Sequence, residues 1–131
     1  MIDEPSLVSL LKRMEDETLD FKSTAYDIRS EDSRLTFVKD VLCMANTPRD
    51  TSSFIVLGVK KHTDGRSDLV GIQSHPDDAD LQSQFGSRVH PTPQFSYCPI
   101  EHQGRKLGII EIPPIRIGPS VPTKDFSPSR R

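Results

Sequence analysis

The sequence predicts an α+β domain in which helices pack on a mixed or antiparallel sheet. Three observations carry this. Val38, Val41, Leu42 and Ala45 recur at i, i+3, i+4 and i+7, the stripe of a helix that buries one face. "SFIVLGV" at 53–59 is a short apolar run rich in β-branched residues, the mark of a strand buried on both sides. Two strand–turn–strand patterns follow, around "KKHTDGRS" and "HQGRK". The expected order of elements is α-β-α-β-β-α-β-β.

The first element is a short amphipathic helix over 2–14, with Leu7, Leu10, Leu11 and Met14 on one face and Asp3 and Glu4 near its start. "TLDFKS" at 18–23 alternates Leu19 and Phe21 against Asp20 and Lys22, which predicts a half-buried strand. The helix carrying the Val38 stripe is stopped by Asn46 and the "TPRD" turn. Asn46 suits a left-handed C-cap. The strand at 53–59 pairs with "DLVGIQ" at 68–73 as a hairpin. Pro76 then opens a helix whose first turn holds Asp77, Asp78 and Asp80, where carboxylates complement the helix dipole; it is expected to run to about Val89. "QFSYCPIEHQGRKLGIIEIP" closes the domain as a second hairpin.

The 131 residues are long enough for a single core and are assigned as one domain over 1–113. Residues 114–131 belong to a stretch, "PPIRIGPSVPTKDFSPSRR", that holds five of the eleven prolines and is excluded from helix or central strand. It is expected to be an extended arm or linker, leading into a longer parent protein. Neither a signal peptide nor an apolar run long enough to cross a membrane occurs, so a soluble, cytoplasmic protein without membrane partners is expected. Two cysteines give no disulfide framework, and Cys43, inside "VLCMA", is expected to pack as a small hydrophobe.

Net charge is −2, which excludes a global cationic field; nucleic-acid binding would need a local patch. Residues 1–50 hold 7 basic and 11 acidic groups, whereas 51–131 hold 10 basic and 8 acidic. Phosphate-binding loops of the G-x-x-x-x-G-K-[ST] kind and the G-x-G-x-x-G dinucleotide fingerprint are both absent. His62, His75, His90 and His102 lie in predicted turns or element ends, none at zinc-like spacing, and are expected to be exposed turn histidines.

Two stretches invite a functional reading. "EDETLDFK" concentrates acid before the first strand, with Asp20 and Lys22 on one face about 7 Å apart. It is either a metal-plus-phosphate seat or a solvated turn followed by an ordinary charge pair. Lys60, Lys61, His62 and Arg66 make a cationic hairpin tip that either contacts phosphates or is charged because it is wet; Arg88, Arg105 and Lys106 would extend it.

Taken in order, "EDETLDFK", "VKDVLCMANT" and "FIVLGVKKHTDGRSDLVGI" resemble the Schlafen/AlbA-like domain family over about residues 10–113. The resemblance implies a nucleic-acid-handling lobe that pairs with a second lobe or a copy of itself. The ligand implied is structured RNA of the tRNA kind or single-stranded nucleic acid. In nuclease members it implies a metal-dependent endoribonuclease with three acids, using Mg²⁺ or Mn²⁺. Glu15 and Asp20 have the spacing of the first two acids, which makes them the implied metal ligands and, with Lys22, the implied catalytic set. Lys22, Lys60, Lys61, Arg66 and Arg88 are, on the reading of the residues themselves, the expected nucleic-acid contacts. The third acid is replaced by Lys60 and Lys61, with Asp64 the nearest substitute in the same turn, and the glycine pair after Ala-Asn-Thr is replaced by "PRDTSS". A different class stays open: a non-catalytic regulatory or protein-interaction module of a larger bacterial-type regulator or defence protein.

Overall fold

The computed structural model describes residues 2–85, 89–90, 93–114 and 121–122. Its elements are α1 (Glu4–Leu11), β1 (Leu19–Lys22), α2 (Glu31–Asn46), β2 (Ser53–Leu57), β3 (Val59–Lys61), β4 (Ser67–Leu69), α3 (Asp78–Ser83), β5 (Val89–His90), β6 (Ser96–His102), β7 (Arg105–Ile112) and β8 (Val121–Pro122). The main sheet has the order β1-β2-β7-β6 and is mixed: β1 runs parallel to β2, while β7 is antiparallel to both its neighbours. The α+β class and the mixed sheet are as the sequence predicts.

Strand alternation splits the core into two clusters. On one side Ile55, Leu57, Ile110 and Ile112 pack with Phe37, Val38, Val41 and Leu42 of α2 and Leu81 of α3. On the other, Leu19, Phe21, Val56, Leu107 and Ile109 pack with Leu7 and Leu10 of α1. The α2 side holds the aromatic mass. Phe37 meets Tyr26, Phe85 and Phe95 edge-on at 5.1, 5.7 and 5.7 Å between ring centroids, the arrangement ring quadrupoles favour.

Local signals set the element ends. Asp3 caps α1 by accepting from the Ser6 amide at 3.0 Å, and Ser30 caps α2 through the Ser33 amide. The β6–β7 turn uses Gln103 and Gly104 at φ 51° and 76°, the two positive values a tight hairpin turn demands. Beyond Asn46 the chain is extended at Thr47 (φ −77°, ψ 125°), as a residue preceding proline prefers. The expected left-handed cap at Asn46 is therefore not formed. Arg49 does that work instead, donating to the carbonyls of Met44, Ala45 and Thr47 and, across to β7, of Ile112 and Pro113.

Other expectations are corrected. The apolar run 53–59 is not one strand: Gly58, at φ +95°, ends β2, and the chain leaves the main sheet as the β3–β4 hairpin. Pro76 lies before the helix rather than in it, because Asp77 is the N-cap of α3. That helix stops at Ser83 so that Phe85 can turn into the core, and Val89 belongs to a strand. Met14 lies beyond the end of α1 and is 49% exposed. Cys43 is exposed, because it falls off the buried stripe of α2; Cys98 is buried, and both thiols are free. His102 is buried, with Nδ1 2.7 Å from Glu4 Oε2, so it is not an exposed turn histidine.

Gly58 is the position least tolerant of change. An added Cβ would lie 3.0 Å from Leu107 Cδ2 and 3.2 Å from the Gly71 backbone, in a conformation L-residues avoid. Gly58→Ala is expected to cost about 2–4 kcal/mol from backbone strain and overpacking together, measured by urea denaturation.

Candidate functional site

Three segments, the α1–β1 turn, β1 and the end of α2, converge on a hollow of about 330 Å³ at the β1 edge of the sheet, lined by Glu15, Asp16, Glu17, Asp20, Asp40 and Cys43 among others. Alternation puts Asp20 and Lys22 on the α2 side of β1, and α2 answers with Asp40, Cys43, Met44 and Thr47. Those four residues are spaced i, i+3, i+4 and i+7, so they form one helical face. The Lys22 ammonium bridges the two elements, 3.1 Å from Asp20 Oδ2 and 3.6 Å from Asp40 Oδ2. Tyr26 donates its hydroxyl to the same Asp40 oxygen at 2.7 Å. Glu15 is brought in from the α1–β1 turn because its Oε2 accepts from the Phe21 amide at 2.8 Å.

The acids of this stretch thus divide by role. Asp16 is a turn residue: its carboxylate accepts from the Thr18 amide and hydroxyl, both at 2.8 Å, and from Arg13. The Thr18 amide chiefly holds Asp16 below the usual carboxylate range. Asp20 goes the other way. Burial and the adjacent Glu15 carboxyl push its pKa up, against the pull of Lys22. Lys22 loses water, which lowers its pKa, but Asp20 and Asp40 outweigh that and hold it above the ordinary lysine value. Tyr26 is pushed up strongly, by burial first and then by Asp40, so it stays a hydroxyl donor.

The cationic hairpin does not join this groove. Lys61 lies on the α1 side, where Nζ donates to Leu11 O at 2.6 Å and Ser67 Oγ at 2.9 Å and sits 5.2 Å from the centre of the Phe21 ring. Arg66 is paired with Asp64 at 2.8 Å, and His62 with Asp68 at 2.7 Å. Asp64 therefore stays at the hairpin tip with Arg66. Lys60 is exposed and makes no ion pair among the described residues. Arg88 lies outside the described residues. A second basic strip forms at the β6–β7 turn. Arg105 packs on Gly71, the Ile72 amide donates to Lys106 O at 2.9 Å, and Lys106 Nζ reaches Gln73 O at 3.4 Å. His75 lies close by, 2.7 Å from the Tyr97 hydroxyl, its pKa lowered by burial and then by Lys106.

The family described as Schlafen, AlbA_2 matches residues 15–129. The chain belongs to that family. The match takes in most of the Pro-rich stretch, from which the two-residue strand β8 comes. No curated protein matches the chain. Among solved structures, the N-terminal domain of a RecG-related protein from Nitrosomonas europaea is similar in fold, with a TM-score of 0.60 and 20% identity, over 95% of this chain and 82% of that one. The DIP2311 protein of Corynebacterium diphtheriae is also similar, with a TM-score of 0.57 and 17% identity, over 89% of this chain but 23% of that one.

The three-acid metal set implied for Schlafen nucleases does not fit here. Among the described residues no group of three or more His, Cys, Asp or Glu side chains could hold a metal ion. Three of the groove's carboxylates already accept from internal donors: Glu15 from the Phe21 amide, Asp20 from Lys22, Asp40 from Lys22 and Tyr26. The third family position offers no acid, and its Lys61 is built into the opposite face of the sheet.

The raised pKa of Asp20 has a definite sign. A group whose folded pKa exceeds its unfolded value stabilises most below the unfolded value, and that contribution is lost as pH rises through the folded value. Asp20→Asn, which stays neutral, should gain thermal stability relative to the parent as pH rises from 3.5 to 7. Melting curves across that range check this; a difference that is flat or falls with pH would contradict it.

Proposed function

We propose that this Schlafen-family lobe binds nucleic acid, RNA or a single strand, through phosphate contacts and does not cut it. The observation that carries binding over cleavage is the bridging Lys22, which leaves the Glu15, Asp20 and Asp40 carboxylates engaged with internal donors. Lys60, Arg105 and Lys106 are exposed cations that make no ion pair among the described residues, which leaves their charge to meet phosphate, whereas Lys61 is drawn into the fold and Arg66 is paired with Asp64. With a net charge of −2, such contacts give weak, salt-sensitive and sequence-tolerant binding. The RecG-related neighbour, whose name ties it to an ATP-dependent DNA helicase, is an N-terminal domain; this supports a lobe working beside further domains.

Cleavage by a Mg²⁺- or Mn²⁺-dependent endoribonuclease through Glu15 and Asp20 is the sharper alternative that the family implies. A regulatory or protein-interaction module is the other. One gel separates the three: labelled tRNA and single-stranded DNA with the chain, with and without Mn²⁺, beside Asp20→Asn. A salt-sensitive shift without cutting is expected. The double variant Arg105→Ala/Lys106→Ala should weaken the shift about tenfold and flatten its salt dependence by roughly two phosphate contacts. Metal-dependent cutting that Asp20→Asn lacks would establish the nuclease, and neither shift nor cutting would favour the interaction module.

A further inference from the structure

We propose that a hollow beside the second basic strip seats one guanine of a bound single strand, walled by His75 and Pro99 and read by the Glu101 carboxylate. The inference rests on the binding reading above and adds to it one position at which sequence matters.

The hollow measures about 260 Å³, room for a single base, and is lined by His75, Pro99, Ile100, Glu101 and Lys106. Alternation along β6 turns Tyr97, Pro99 and Glu101 to one face; across the ladder Pro99 stands opposite Gly108 and Glu101 opposite Lys106. A Cβ at position 108 would collide with the Tyr97 ring and hydroxyl, so the bare backbone of Gly108 is what lets Tyr97 lie across β7. The Tyr97 hydroxyl then holds His75 Nδ1 at 2.7 Å, with the two rings edge-on at 5.8 Å. His75 is exposed, yet partial burial and then Lys106 lower its pKa, so it offers a neutral, flat ring at pH 7. An exposed ring fixed in one orientation is a platform on which a base can stack. On the other wall, β6 is an edge strand and Pro99 has no N–H to give an added strand, which keeps the mouth of the hollow uncovered.

Glu101 gives the hollow its selectivity. Opposite charges facing each other across a ladder ordinarily pair. Here Lys106 Nζ turns to Gln73 O at 3.4 Å, and Glu101 makes no ion pair among the described residues. A free carboxylate among cations that meet phosphate repels the backbone of the strand, so the strand has to present it with hydrogen-bond donors instead. Among the four common bases guanine alone sets two N–H donors side by side, at N1 and N2, to match the two oxygens of a carboxylate. Cytosine and adenine offer one amine next to a ring nitrogen that is itself an acceptor, and uracil offers one N–H between two carbonyls. Arg105 and Lys106 stay with the phosphates on either side of the seated base.

The test uses fluorescein-labelled uridine strands of about ten nucleotides, followed by anisotropy. One strand is all uridine; four others carry a single central guanosine, inosine, cytidine or adenosine. The guanosine strand is expected to bind about tenfold more tightly than the all-uridine strand, with inosine, which lacks the N2 amine, in between. In Glu101→Gln and Glu101→Ala the five strands should fall within about twofold of one another. Loss of a charge by itself would move all five alike and leave their ratio unchanged. Glu101 is exposed, so both variants should fold, which circular dichroism checks. A guanosine preference that survives in both variants would overturn the inference. Equal binding of the five strands by the parent would also overturn it while leaving the binding reading in place. No binding of any strand would overturn both.

Discussion

Gly58 is the hinge on which the domain's parts meet. Its amide closes the end of β1 by donating to Lys22 O, and its carbonyl accepts from both the Val70 and Gly71 amides. Its positive φ turns the chain out of the four-stranded sheet and into the β3–β4 hairpin. A side chain there would collide with Leu107 on β7 and with Gly71 in the loop before α3. The end of β1, the start of the hairpin and the approach to the second basic strip are thus fixed by one residue without a side chain. Lys22 owes its position to this junction, and through Lys22 so does the electrostatic state of the groove.

Several charges elsewhere find partners close in sequence or across a single hairpin. Arg13 with Asp16, Arg29 with Asp27, Arg66 with Asp64 and His62 with Asp68 are all exposed or partly exposed pairs. Such pairs contribute little to stability. They do cancel the fields that would otherwise steer ligands. The Lys22 bridge differs, because it joins a strand to a helix and is partly shielded from water, so loss of its charge unbalances two elements at once.

Much of the fold was legible because it depends on periodicity. The Val38 stripe, the alternation of Leu19 and Phe21 and the second hairpin each carry their own signal and appear in the structure; the first hairpin forms too, but from β3 and β4 rather than from 53–59 and 68–73. What stayed hidden depends on tertiary choice. "SFIVLGV" is uniformly apolar, so nothing in its pattern tells which sheet Val59 joins after Gly58. The length of α3 depends on where Phe85 finds the core, which local spacing does not contain. For the site, Glu15, Asp20 and Lys22 were legible as a cluster, and the structure brings them together. Lys61 and Asp64 were tied to the site by the family's third acidic position and Arg66 by the shared hairpin tip, and the sheet separates them from it. Asp40 and Tyr26 were missed. A signal for Asp40 existed in the spacing of Asp40, Cys43, Met44 and Thr47, a second face of α2 beside the buried stripe. Nothing in the loop around Tyr26 announced its bond to Asp40.

Arg49 sets a further property of the groove from outside it. By donating to three carbonyls at the end of α2 and two at the end of β7, its guanidinium rivets helix to sheet. Met44 and Thr47, whose carbonyls it grips, also line the groove. The wall that α2 provides is therefore anchored at its end to the end of β7, so the groove's far border is tied to the sheet by one side chain.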